Sequence, residues 1–134
     1  MPFWRAYYHI IWGTKNRQPV ITPQLEERLY AYLGRKSAEL ELYTYAINGT
    51  ADHLHMIVTI PPKATLSDIV GKLKGSSSHY INDHELVDFA FRWQRGYGAL
   101  TLGYTQLETA INYVHNQKQH HADQTTNKGL EHIS

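Results

Sequence analysis

The 134-residue chain contains no cysteine. That removes disulfides, thiolate metal sites and cysteine nucleophiles together, so a metal here must use nitrogen and oxygen ligands. Excess charge is also lacking: 13 Lys and Arg against 12 Asp and Glu leave a net charge of +1. This argues against a protein that holds duplex DNA mainly through a massive basic surface, but it leaves nucleic acid open as a partner. No segment approaches the ~20 apolar residues of a membrane span, and Met1-Pro2-Phe3-Trp4-Arg5 is not a cationic leader followed by an apolar stretch. The expectation is a soluble, cytoplasmic protein with no membrane partner. Internal repeats and low-complexity tracts are absent as well.

What the chain does have is a hydrophobic content of 42%, enough for one real core. A single domain over residues 1–121 is expected, with a short polar tail over 122–134. Ten tyrosines and three tryptophans supply rings that either fill the core or offer the stacking surfaces that single strands favour.

Ala6 to Thr14 is rich in aromatic and β-branched residues and reads as a strand. After a polar break at Lys15 to Pro19, Thr22 before Pro23 starts a helix. Its apolar residues Leu25, Leu29, Tyr32 and Leu33 recur at helical spacing, and it runs to about Leu40. Leu42 to Ile47 is a second strand, Asn48-Gly49 is a turn signal, and His53 to Ile60 is a third strand stopped by Pro61-Pro62. Thr65 and Asp68 resemble a capping box ahead of a second helix, whose stripe runs Leu66, Ile69, Val70, Leu73, Ser77, Tyr80, Ile81. Phe91 to Leu102 reads as a fourth strand interrupted by two glycines, which suggests a bulge or a close backbone approach. Thr105 opens a last helix with Leu107, Ala110, Ile111 and Val114 on its apolar face. The order predicts an α+β fold, a ferredoxin-like antiparallel sheet (strand, helix, strand, strand, helix, strand) with an additional C-terminal helix.

His53 and His55 lie two apart in a predicted strand, so both rings project from one face while Leu54 and Met56 point to the other. They are either ordinary strand histidines or a pair that can chelate one cation, provided an oxygen ligand arrives from elsewhere. Tyr113 and Gln117 sit one turn apart on the last helix, off the centre of its apolar stripe, which leaves Tyr113 less committed to the core. A deprotonated phenol near a metal site can act as a nucleophile, and the glutamine carbonyl can be the missing oxygen.

Taken together, these pieces resemble the HUH tyrosine transposases of the insertion-sequence-200-like family, including those associated with repetitive extragenic palindromes (REP). The matching segments are Asp52-His53-Leu54-His55-Met56-Ile57-Val58, Gly71 to Asn82, Trp93-Gln94-Arg95-Gly96-Tyr97-Gly98-Ala99, and Tyr113-Val114-His115-Asn116-Gln117 followed by His120-His121. The resemblance implies a divalent cation, magnesium or manganese, held by His53, His55 and Gln117. It implies that Tyr113 attacks a backbone phosphate of single-stranded DNA bearing hairpin ends, forming a 5′-phosphotyrosine link and freeing a 3′-hydroxyl. It implies, too, a homodimer with joined sheets.

Asp52 stands where many members of that family have asparagine, and either adds to the metal site or finishes the turn. For strand binding, Lys72, Lys74 and Ser76 on the second helix offer charge and hydroxyl donors to phosphates, or form a solvated face. Arg92 and Arg95 are placed to contact phosphate, and Tyr97 either stacks on a base or packs. His9, His79, His115, His120 and His121 are read as surface or hydrogen-bonding residues. Two other functions remain in view: a domesticated relative that grips hairpin DNA or RNA without cutting, and a metal phosphodiesterase that uses water instead of tyrosine. The acidic residues fall mainly in the first helix and the Asp83 to Asp88 loop, which disfavours a two-metal site built on three carboxylates.

Overall fold

The structure, a computed structural model, describes residues 6–122; the expected tail from 123 onward lies outside the described residues. Strands β1 (Tyr7–Gly13), β2 (Tyr43–Gly49), β3 (His53–Thr59) and β4 (Gly98–Leu102) form one antiparallel sheet in the order β2-β3-β1-β4. Helices α1 (Pro23–Glu39) and α2 (Leu66–Asp83) connect them, and α3 (Leu107–His115) and α4 (Gln117–Ala122) follow β4. This is the expected ferredoxin-like α+β arrangement with its C-terminal addition. Among the described residues no helix is long and apolar enough to cross a membrane.

Both long helices begin where their caps dictate. Thr22 Oγ1 accepts from the Leu25 amide at 3.2 Å with Pro23 in the first turn, and Thr65 Oγ1 accepts from the Asp68 amide at 3.1 Å. The Asp68 carboxylate pairs with Lys72 Nζ at 3.0 Å, one turn further along.

Alternation along the central strands divides the molecule into two layers of contact. Ile10 and Trp12 of β1 with Leu54, Met56 and Val58 of β3 face α1 and α2, where Leu25, Leu29, Leu33, Ile69, Leu73 and Ile81 complete the main core. Each such fully buried aliphatic side chain contributes about 1.5–3 kcal/mol. The opposite face carries Tyr7, Ala46 and Ile57, covered by Leu107, Ala110 and Val114 of α3. His9, His53 and His55 share this second face by the same alternation.

Three expectations need correction. Asn48-Gly49 is not the hairpin turn: both residues stay in β2, paired with His55 and Leu54, and the chain reverses over residues 50–52. The fourth strand begins only at Gly98, because residues 91–97 wrap the end of β1 instead; there Trp93 bridges Thr14 and the Gln94 amide donates to the Gly13 carbonyl at 2.9 Å. Gly96, at φ 86°, supplies the left-handed backbone that this wrapping needs. The last helix is two: α3 ends at His115, Asn116 leaves helical geometry at φ −101°, ψ 21°, and α4 starts at Gln117.

Candidate functional site

His53 is 1% and His55 0% exposed, so both imidazoles are enclosed between the sheet and the C-terminal helices. Each is held by its Nδ1. His53 Nδ1 lies 2.7 Å from Asp52 Oδ1 and 3.0 Å from Thr50 Oγ1, with Arg17 Nη2 at 3.2 Å from both Asp52 Oδ1 and the ring. Burial works against the Asp52 carboxylate, but the hydrogen bond from His53 and the Arg17 guanidinium outweigh it and hold the carboxyl below its usual value. Asp52 therefore does more than finish the turn: it fixes the ring beside it. Arg17 reaches this position from the polar break after β1, where Asn16 and Arg17 adopt left-handed backbone at φ 58° and 53°.

His55 Nδ1 lies 2.7 Å from the Nε2 of His9, which is itself fully buried. His9 was expected to be a surface or hydrogen-bonding residue; it bonds, but inside the site. Its alternation with Tyr7 and Ile11 gives its face, whereas its nearness to His55 depends on the strand register. That register pairs His9 with Ile57 and Ile11 with His55, so the two histidines are diagonal neighbours. His79 and His115 are exposed.

The rings of His53 and His55 stand 5.2 Å apart between centroids, and the Tyr113 ring lies 6.2 Å from that of His55. Tyr113 was read as less committed to the core than Leu107, Ala110 and Val114, yet it is buried alongside them, because the face of α3 against the sheet is wider than its aliphatic stripe. Gln117 is fully buried where α4 begins. Asn48, the register partner of His55, donates to the His115 carbonyl at 2.9 Å and accepts from Lys118 Nζ at 2.8 Å. Those two bonds flank Gln117 and seat it over the same end of the sheet.

The donor set suits a hard or borderline divalent cation. Both His Nδ1 atoms are engaged, so the nitrogens that would meet an ion are the Nε2 atoms, which are shielded from solvent, as is Gln117 Oε1. Among the described residues no three histidine, cysteine or carboxylate side chains are grouped to hold an ion, so two imidazoles need an oxygen of another kind.

The residues singled out for strand contact divide. Lys74 Nζ donates to the carbonyls of Gln94 at 2.6 Å and Gly96 at 2.7 Å, and its burial pushes the ammonium below the ordinary lysine value. Lys72 is paired with Asp68, and Ser76 Oγ donates to the Lys72 carbonyl at 2.6 Å. Tyr97 packs on the main core. Arg92 and Arg95 are exposed and line a groove of about 390 Å³ together with Lys15, next to the end of β1 that carries the site.

Residues 2–117 match the model of the family described as IS200-like transposases. The chain is 29% identical over 106 residues, 75% of its length and 69% of the relative's, to the transposase for insertion sequence element IS200 of Salmonella typhimurium. It is 25% identical over 115 residues, 82% of each chain, to the ISDra2 transposase TnpA of Deinococcus radiodurans. Among solved structures, a Deinococcus radiodurans protein described as a transposase superposes with a TM-score of 0.69 at 23% identity, covering 87% of this chain and 95% of that one. A REP-associated tyrosine transposase bound to a REP hairpin superposes with a TM-score of 0.68 at 14% identity, covering 90% of this chain and 74% of that one. At these identities the structural likenesses establish the shared fold.

Proposed function

Because the chain belongs to the IS200-like transposase family, we propose that it cuts and rejoins single-stranded DNA through a covalent link to Tyr113, recognising hairpin ends. The observation that carries this reading is the position of His55: it neighbours His53 and the Tyr113 ring on a buried face where both imidazoles are anchored through Nδ1. A non-cleaving binder has no chemical need for that set.

His53, His55 and Gln117 would hold magnesium or manganese, which supplies charge stabilisation at the scissile phosphate when bound. Tyr113 Oη forms the new bond to phosphorus as the bond from phosphorus to the 3′ oxygen breaks. The phenol gives up its proton, a proton ends on the departing 3′-hydroxyl, and the 5′ phosphate stays on the tyrosine. Enclosure between α3 and the sheet keeps water from competing as the nucleophile. Attack by the freed 3′-hydroxyl of another strand reverses the step and rejoins DNA.

Arg92 and Arg95, with Lys15, line the groove that would track the strand's phosphates, with Tyr97 beside it. Lys72, Lys74 and Ser76 would contribute less, given their partners within α2 and the 91–97 segment. β4 is an edge strand of the sheet, through which two copies would join as a homodimer. The reaction would take place in the cytoplasm, on the DNA of the host.

Incubation with magnesium or manganese and labelled single-stranded hairpin DNA from the flanks of the gene, read on a denaturing gel, tests the reading. A DNA–protein adduct that disappears in Tyr113→Phe while hairpin binding persists is expected. Tight metal-independent binding without an adduct would support a non-cleaving relative, and full activity of Tyr113→Phe with no adduct would support hydrolysis by water.

A further inference from the structure

We propose that His9 is a positioning residue: it fixes the ring orientation and tautomer of His55 so that Nε2 is the nitrogen presented to the cation. The inference rests on the reading of His53 and His55 as metal ligands, and it adds a residue that this reading does not require. A neutral imidazole offers a lone pair at Nε2 only when its proton is on Nδ1. His55 Nδ1 has His9 Nε2 at 2.7 Å, so in the metal-ready state His55 donates and His9 accepts.

The two ligands are thus oriented by different chemistry. Asp52 Oδ1 can only accept, which places the proton on His53 Nδ1 directly. His9 can accept or donate, so its own proton must sit on Nδ1 for His55 to be ready; that atom is buried too. A neutral acceptor at position 9 orients His55 without adding a second carboxylate next to the place where a phosphate must approach. The strand register makes the arrangement possible, since diagonal neighbours on β1 and β3 stand close enough for the bond.

The test compares His9→Phe, which keeps a ring but loses the acceptor, with His9→Gln, which restores an acceptor near the Nε2 position. Manganese binding is followed by the electron paramagnetic resonance signal of free ion, and the proton position on His55 by ring-nitrogen NMR of the metal-free protein at about pH 8.5, roughly two units above the reference imidazole value. His9→Phe is expected to lose roughly ten-fold or more in manganese affinity, and His9→Gln to stay within about three-fold of the parent. The parent spectrum is expected to show the proton on Nδ1 of His55. Parent-like manganese affinity in His9→Phe, or an Nε2 proton on His55 in the parent, would overturn the proposal. If His9→Phe does not fold, the parent spectrum and His9→Gln decide alone. Failure of the underlying reading is seen separately, as manganese affinity unchanged in the double variant His53→Ala, His55→Ala.

Discussion

Lys74 Nζ donates to the Gly96 carbonyl across 2.7 Å, and through this bond α2 grips the segment that carries Arg95 and Tyr97. The same ammonium holds the Gln94 carbonyl, and Gln94 in turn accepts from the Asn16 amide at 2.9 Å through its Oε1. A lysine that a sequence reading offers to phosphates is thereby committed to the protein's own backbone. Lys74→Met is expected to cost about 1.5–3 kcal/mol of stability, the range for hydrogen bonds involving a charged group. It should change the salt dependence of DNA binding little, because the ammonium is already committed to the Gln94 and Gly96 carbonyls. Urea denaturation and a binding series at several salt concentrations check both halves; a shallower salt slope would return Lys74 to the DNA interface.

Arg28 and Tyr80 give a pH-dependent prediction remote from the histidines. Arg28 Nη2 donates to the Tyr80 hydroxyl at 2.9 Å, and the Tyr80 ring stacks on Tyr32 at 4.5 Å, tying α2 to α1. The hydrogen bond from Arg28, with Arg35 assisting, holds the Tyr80 phenol below its ordinary value. A group whose folded value is depressed contributes stability that is fully present above its unfolded value, about 10, and is lost as pH falls through the folded value. The stability of the parent relative to Arg28→Gln should therefore grow as pH rises towards about 10 and then level off. Urea midpoints across that range, with the Tyr80 titration followed by NMR, check it; a difference independent of pH would contradict it.

Much of this architecture is legible in the chain because it follows from local chemistry. Thr22 and Thr65 start helices wherever the fold places them, and the alternation in His53 to Thr59 puts both imidazoles on one face without knowledge of any neighbour. The missed features all depend on contacts distant in sequence. Asn48-Gly49 carries strong local turn chemistry, yet pairing with His55 and Leu54 holds both residues in the strand. Phe91 to Tyr97 has strand composition, but Asn82 Nδ2 donates to the Phe91 carbonyl and its Oδ1 accepts from the Phe91 amide, and the Trp93 indole donates to Ser77 Oγ. Those bonds draw the segment across the end of β1. His9 entered the site through register, which one strand's pattern does not specify.

Gly49 illustrates the same point at the scale of one atom. A Cβ added there would lie 2.2 Å from the His53 carbonyl oxygen and 2.7 Å from Leu54 Cα, both backbone atoms with no rotamer to yield. The glycine serves close approach of β2 to β3 rather than a turn. Gly49→Ala is expected to destabilise by about 3 kcal/mol, since the strands must separate where His53 begins β3. A lower urea midpoint at unchanged slope would show this. A parent-like midpoint would mean that the hairpin adjusts more easily than its backbone geometry implies.

Asn48 joins the sheet to the helices that carry Tyr113 and Gln117. Its Nδ2 satisfies the His115 carbonyl at the end of α3, and its Oδ1 accepts from Lys118 of α4, whose Nζ also meets Glu26 of α1 at 2.9 Å. With six residues, α4 is far too short to persist unaided, so these bonds and the burial of Gln117 hold it in place. Two lost hydrogen bonds at about 0.5–1.5 kcal/mol each amount to roughly a ten-fold shift in a local opening equilibrium. In Asn48→Ala, amides of α4 should exchange about ten-fold faster or more, while those of β1 and β3 are unchanged. Adduct yield on hairpin DNA should fall together with α4 protection, because in the proposed ligand set Gln117 can join His53 and His55 only while α4 is docked. Faster exchange without loss of adduct would separate α4 from the chemistry and remove Gln117 from the proposed ligand set.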